Sequence, residues 1–263
     1  MPTGRATASR ARRTFAMPLL GSAALLLTFD IVADAVEEHD RWHTREHLPE
    51  RLALPGFLRG TRWSGVAGGP RYMVLYEVRE LGALASEDYL ARLDDPTPWT
   101  RRVMPSYRGM SRGLCSVLGS VGPGLGSAAA LLRFGVGAAR EAELRHRLLE
   151  DVLPRLADTS GIASAHLLRG AQQATMTNEQ RIRGADGGID AALVVTGHDA
   201  GAIAASARAL CADDGLPLQG GRDVECALFD TNLSLSREEL GAGVAATPGA
   251  RGAGSDPPTP RCG

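Results

Sequence analysis

The sequence carries no long run of basic residues beyond its first thirteen positions, and its formal net charge over 263 residues is −1. Aromatic residues make up only 5%. A nucleic-acid-binding surface needs a basic stripe with aromatics set between the charges, so nucleic acid is excluded as a partner, and no membrane partner is indicated. The four cysteines (Cys115, Cys211, Cys226, Cys262) form no CxxC pair and no metal-ligand spacing. That pattern excludes a disulfide framework and a zinc centre, and it fits free thiols in a reducing cytoplasm. Also missing are GxxxxGK[ST], a GxGxxG between strand and helix, and GxSxG. Their absence removes P-loop phosphate chemistry, dinucleotide binding and the serine-hydrolase elbow.

What is present is an ordinary globular composition, 44% hydrophobic and 22% charged. The length allows one large domain or two small ones with cores of their own. Near the start, Arg12-Arg13-Thr14-Phe15, an apolar stretch to Phe29 and Ala33-Asp34-Ala35 have the outline of a twin-arginine export signal. The alternative takes residues 1–20 as a disordered arm, with the first strand following and Met17 as a second candidate start.

An internal repeat favours the alternative. Gly21-Ser-Ala-Ala-Leu-Leu-Leu-Thr-Phe29 returns as Gly126-Ser-Ala-Ala-Ala-Leu-Leu-Arg-Phe134, with seven of nine positions identical at an offset of 105. The same offset carries Leu48-Pro49 onto Leu153-Pro154 and Gly56 onto Gly161. Such a period is the mark of a duplicated supersecondary unit, and cleavage of a signal would remove half of the match.

Each unit reads strand, helix, strand, strand, helix, strand. In the first, residues 23–32 form a strand, 34–52 a helix that Pro49 should bend or end, and 57–64 and 71–78 two strands about a Gly-Gly-Pro turn. A helix over 82–93 and a strand over 112–118 follow. The second unit runs 128–136, 138–157, 162–170, 191–197, 200–212 and 224–230. The expected fold is therefore α+β: two fused ferredoxin-like βαββαβ repeats, each an antiparallel sheet covered by helices on one face. The expected divisions are an arm at 1–20, repeat one at 21–118, a linker at 119–125, a structural repeat two at 126–236 and a disordered tail at 237–263.

Trp42-His43-x-x-Glu46-His47-Leu48-Pro49-Glu50, then Leu54-Pro55-Gly56-Phe57, Tyr72-x-x-Leu75-Tyr76-Glu77-Val78 and Pro96-Thr97-Pro98-Trp99-Thr100, resemble the EthD-like branch of the dimeric α/β barrel proteins. The likeness covers repeat one well and repeat two in outline. It implies two sheets paired face to face, within one chain or in a homodimer. That superfamily includes monooxygenases, cyclases, dehydratases, isomerases and haem-binding proteins, so the resemblance does not select a reaction.

Comparison of the repeats locates the chemistry. His39, His43 and His47 recur every four residues and share one helix face. Their counterparts are Leu144, Leu148 and Val152, the sheet-facing stripe of an amphipathic helix. Three inward imidazoles need polar partners, which predicts a polar pocket between helix and sheet in repeat one alone. Tyr72 and Tyr76 become Ala191 and Val195, so the phenols disappear together with the histidines. His47 is the first candidate for acid–base work, with His43 and Tyr76 assisting and His39 expected to be wet.

Residues 96–108 are extra in repeat one. They carry Trp99 and Arg101, and they read either as a lid that offers arginine to a carboxylate or enolate, or as a packing arm between the sheets. Residues 171–189 in repeat two read as a long flexible hairpin. Trp42, Tyr72, Trp99 and Arg101 are the expected substrate-binding residues. His39 and His47 are about 12 Å apart along the helix, too far to share one metal, so no metal or other cofactor is expected; haem or a divalent ion would be the departure to look for.

The resulting expectation is a cofactor-independent cytoplasmic enzyme of small-molecule, secondary metabolism. It would act as a cyclase, isomerase, dehydratase, decarboxylase or monooxygenase on an apolar oxygenated compound, aromatic or polyketide-like. The alternatives are a non-catalytic carrier of a hydrophobic ligand and a structural stress protein. A closed pocket with converging imidazole and phenol groups favours the enzyme; a wide apolar channel favours the carrier.

Overall fold

Alternation of side chains along each strand sets the layers. In β1 (Ala23–Ile31), Ala23, Leu25, Phe29 and Ile31 pack toward the helices, while Ala24 and Leu26 point the other way. The computed structural model describes residues 19–67, 69–171, 177–183 and 186–241. The twin-arginine stretch and the tail from 242 onward lie outside the described residues.

After β1 come α1 (residues 36–53), β2 (Phe57–Ala67), β3 (Tyr72–Val78), α2 (Glu87–Asp94), α3 (Pro98–Val103) and β4 (Tyr107–Val121). The second half supplies β5 (Ala128–Val136), α4 (residues 141–158), β6 (Ile162–Ala171), α5 (Asn178–Arg183) and the two-residue β7 (Gly187–Gly188). It ends with β8 (Ala191–Gly197), α6 (Ala200–Cys211) and β9 (Gly221–Ser236). Both halves thus follow the expected βαββαβ order.

Eight antiparallel strands close a barrel in the order β1-β3-β2-β9-β5-β8-β6-β4 and back to β1, with β7 set against β4. Two long strands make the seams. The first part of β4 pairs β1, from Tyr107 opposite Ile31 to Ser116 opposite Ala23, and its last part pairs β6 up to Val121 opposite Ala165. In the same way β9 pairs β5 and then runs on along β2, ending with Ser236 opposite Arg59. The expected strands 112–118 and 224–230 are therefore too short, and the expected linker begins inside β4. Polar and small residues interrupt both seams (Gly119, Ser120, Asn232, Ser234), which weakens the apolar signal of a buried strand. A one-turn helix at Glu238–Leu240 follows β9, where tail was expected.

Helix α1 does not stop at Pro49. A proline lacks the N–H for an i→i−4 bond and its ring crowds the carbonyl four residues back. The helix widens instead: His43–His47 forms a π turn, with the Leu48 N–H donating to the His43 carbonyl. Residues 48–53 then continue as α-helix. Around Pro154, α4 repeats the device, with Leu153 N–H donating to Leu148 O. Bulges of this kind re-aim the side chains that follow them.

Helices pack only on the outside, leaving the barrel interior to its own apolar cluster of Leu26, Trp63, Met73, Leu75, Leu131, Val194 and Phe229. Among the described residues this cluster fills the middle of the interior, and a pocket of about 340 Å3 opens beside Leu131, Arg133, Glu225 and Ala227. At one end the interior turns polar. Arg59 Nε donates to Glu77 Oε1 at 2.6 Å, the Leu20 N–H donates to Glu77 Oε2 at 2.7 Å, and Leu19 is buried beside them. His166, on β6, has both ring nitrogens on hydroxyls, Ser120 Oγ at 2.8 Å and Ser164 Oγ at 3.0 Å. Burial, and then the charge of Arg59, push the His166 imidazole down to about 3.

Two predictions follow from local geometry. Gly56 and Gly161, at matched turns after α1 and α4, have φ of 86° and 89°, where a Cβ is strained. Gly56→Ala and Gly161→Ala should each cost about 1–2 kcal/mol, read as a lower urea midpoint; unchanged midpoints in both would contradict the turn assignment. For His166 the folded pKa lies below the unfolded value of 6.5, so its contribution to stability is whole above pH 6.5 and is lost as pH falls toward 3. Between pH 7 and 5 the loss from this group is about 2 kcal/mol. His166→Gln should flatten the pH dependence of urea unfolding by that amount, while an unaltered slope would mean that the imidazole protonates in the folded state.

Candidate functional site

The three histidines of α1 do face the sheet, and all three are buried. Their rings form a file, His39 to His43 and His43 to His47 each 5.6 Å between centroids. His39, expected to be wet, sits among Phe29, Tyr72 and Tyr107, with Nδ1 donating to Asp40 Oδ1 at 3.2 Å and Nε2 without a partner. His43 Nε2 lies 3.4 Å from the Tyr76 hydroxyl, a weak bond at that length, and its Nδ1 has no partner. Burial lowers His39, and it pushes His43 well below the ordinary imidazole value, helped by His39, Arg62 and Arg51. Both imidazoles are therefore neutral near pH 7. Burial likewise raises the Tyr76 phenol.

His47 ends the file at a cavity of about 30 Å3, room for roughly two waters. Its ring stacks on Trp42 at 4.3 Å between centroids. The same cavity is bordered by Tyr76, Arg51, Tyr89, Tyr107 and Arg112 on the polar side, and by Leu25, Leu27, Leu93, Met104 and Met110 on the apolar side. Thr177, Glu179 and Gln180 close it from the second half of the chain. Within the segment expected as a flexible hairpin, of which residues 172–176 and 184–185 lie outside the described residues, α5 reaches the cavity, and Arg51 Nη2 donates to Glu179 Oε1. Burial works against the Arg51 charge, but Glu179 and Glu50 outweigh it and hold the guanidinium above its ordinary value. Arg112 Nη2 donates to the Tyr89 hydroxyl at 3.1 Å.

Of the residues expected from sequence, His47 and Tyr76 meet at the cavity, and His43 stands behind Tyr76. The four expected substrate-binding residues do not border it. Trp42 backs His47 and donates to Glu46 and Thr100. Tyr72 donates to Asp40 Oδ1 at 2.8 Å, in a group that includes Arg62. Trp99 lies on the outer side of α1, donating to Glu38 at 2.7 Å. Arg101, with its side chain 57% exposed, pairs with Asp95 on the surface. The extra segment 96–108 is thus neither an arm between sheets nor a donor of arginine. It covers α1, with Thr97 Oγ1 donating to Glu46 Oε1 at 2.5 Å, and it lends only Met104 and Tyr107 to the cavity.

Two arginines reach the cavity, Arg51 and Arg112; the sequence reading missed both, although the comparison that found the histidines would also have found Arg51. It lies four residues past His47, and its counterpart is Leu156, a core residue of the second half. Glu179 had no such signal, because its segment has no counterpart in the first half.

The residues do not fit haem. A space of about 30 Å3 is far too small, and His39 and His43 are covered by packed rings. Among the described residues no group of three or more His, Cys, Asp or Glu side chains is placed to hold a metal ion, and no helix is long and apolar enough to cross a membrane.

No family model and no curated protein matches this sequence. Solved structures do match in fold. An anthrone oxidase-like protein is similar with a TM-score of 0.57 at 12% identity, covering 88% of this chain and 99% of its own. A protein of Fusobacterium nucleatum subsp. nucleatum assigned as a monooxygenase has a TM-score of 0.56 at 9% identity, with coverage of 82% and 95%. Chlorite dismutase of Candidatus Nitrospira defluvii, solved with imidazole, has a TM-score of 0.50 at 11% identity, with coverage of 83% and 92%. At these identities the likeness is one of fold. This chain has the fold of the dimeric α/β barrel proteins, with both halves of the barrel drawn from one polypeptide.

Proposed function

We propose that this chain is an enzyme of small-molecule metabolism, a tandem EthD-like protein that works without a cofactor, in which His47 moves a proton to or from an apolar oxygenated substrate. The observation that carries the reading is the convergence of His47, Tyr76 and Arg51 on one small cavity that apolar side chains also line. An imidazole can take a proton from an acidic C–H or a phenol O–H. The electron pair left behind moves onto the substrate oxygen, where the Tyr76 hydroxyl and a guanidinium stabilise it by hydrogen bonding and charge. The lining side chains are mostly buried, which strengthens those interactions. His43, held neutral, keeps the Tyr76 hydroxyl in place. The polar groups that converge on the cavity favour the enzyme over the carrier alternative.

The same proton abstraction opens a cyclisation, an isomerisation or, with dioxygen as co-substrate, an oxygenation. Anthrone is a suitable probe because a structural neighbour is anthrone oxidase-like. Loss of its C10 proton gives the anthrolate, and reaction of anthrone with one dioxygen gives anthraquinone and one water. The free cysteines suit a cytoplasmic setting. A homodimer would join two complete barrels.

The test uses anthrone and its 2-carboxylate. Exchange of the C10 proton in D2O without oxygen, and quinone formation in air, should both exceed the buffer rate. His47→Gln should lower both by roughly a hundredfold or more, and Arg101→Ala, which removes only a surface pair, should leave them within about twofold. Unchanged rates in His47→Gln would remove His47 from the chemistry.

A further inference from the structure

Arg51 is 2% exposed, and its two terminal nitrogens are used unequally. Nη2 donates to Glu179, whereas Nη1 has no hydrogen-bond acceptor; Glu50 Oε2 stands 3.8 Å from it, beyond hydrogen-bond reach. A guanidinium presents its N–H groups as a fork that matches the two oxygens of a carboxylate. Glu179 fills half of that fork, from another part of the chain.

The segment that brings Glu179 in is held in an unusual way. Within 177–183, Thr177, Glu179 and Gln180 are buried, all of them polar, while Ile182 is 39% exposed. Asn178 bonds to Asp94 through its N–H (3.0 Å) and its side-chain amide (2.8 Å). Gln180 Oε1 accepts from the Thr177 N–H at 2.9 Å, and its Nε2 donates to Asp186 at 2.8 Å. Water can replace each of these hydrogen bonds at little net cost. The Arg51–Glu179 pair is different: both ions are desolvated, and removing Glu179 leaves Arg51 only Glu50, 3.8 Å away and shared with Arg92. Only another anion can take Glu179's place without that loss. The cavity also has too little room for a substrate while Glu179 is in it.

We propose that Arg51 is the anion subsite of the cavity, that Glu179 is its resting occupant, and that the substrate is an aryl or similarly apolar acid whose carboxylate displaces Glu179. This rests on the reading of the cavity as a substrate site. The apolar body of the acid lies against Leu25, Leu27, Leu93, Met104 and Met110, and α5 leaves as the carboxylate arrives. Charge is conserved in the exchange, one carboxylate for another.

Binding of 2-naphthoate and of its uncharged isostere 2-naphthamide to the full chain, by calorimetry at pH 7.5, tests this without any turnover. The acid should bind at least tenfold more tightly than the amide. Glu179→Gln, which keeps the shape and removes the competing charge, should tighten the acid about tenfold and leave the amide within twofold. Arg51→Met should abolish the preference for the acid; should that variant not fold, as judged by circular dichroism, Glu179→Gln decides alone. Equal affinities for acid and amide, an acid affinity unmoved by Glu179→Gln, or no binding of either compound would each overturn the subsite. His47→Gln should bind the acid like the wild type. Loss of turnover in His47→Gln without any acid preference would leave the reaction standing and remove the subsite, and the converse result would do the reverse.

Discussion

The edges of a four-stranded sheet cannot be left open without inviting aggregation, and in this protein β4 and β9 meet that constraint by running on past the sheet in which they begin. Each long strand joins its own half to the other, and the two seams turn two sheets into one closed barrel. Other features of the molecule depend on this closure. Closure encloses the inward faces, and the apolar side chains there fill the middle of the space. The helices are confined to the outer surface, and the cavity at His47 lies between helix and sheet. The π turn before Pro49 sits in that layer, with His47 as its last residue and Arg51 one helical turn further on.

Within that layer the two halves differ by chemistry, not by shape. Where the second half has Leu144, Leu148, Val152 and Leu156, the first has His39, His43, His47 and Arg51. The aliphatic set packs without need of partners. The polar set needs aromatic neighbours, a carboxylate from Asp40, and an ion-pair partner that the second half supplies as Glu179. One half thus carries the buried imidazoles, and the other supplies one counter-ion.

Much of this was legible in the residues. Strands β5 and β8 begin and end where alternation and turn signals place them, because each is a short apolar run between glycines or helix caps. The seam strands were underestimated because Gly119, Ser120 and the Thr231–Ser236 stretch look like linker when no partner strand is in view; their pairing is long-range. The inward turn of the histidines could be read from the repeat. Trp42 was misplaced because it lies one residue from His43, and so about 100° around the helix. Tyr72, a full strand step from Tyr76, falls beside His39 at the far end of the file. Glu179 was out of reach, since a polar insertion discloses nothing of where its ends will carry it.

The seams have a consequence for how the molecule could diversify. In a barrel assembled from two chains, identical halves see one another only at sufficient concentration, and any change in one copy is made in both. Here β4 and β9 are on the same polypeptide, so the encounter is intramolecular and survives dilution. A covalent partner can change on its own. That freedom lets one half carry imidazoles where the other carries aliphatics and an insertion, within a barrel of twofold outline.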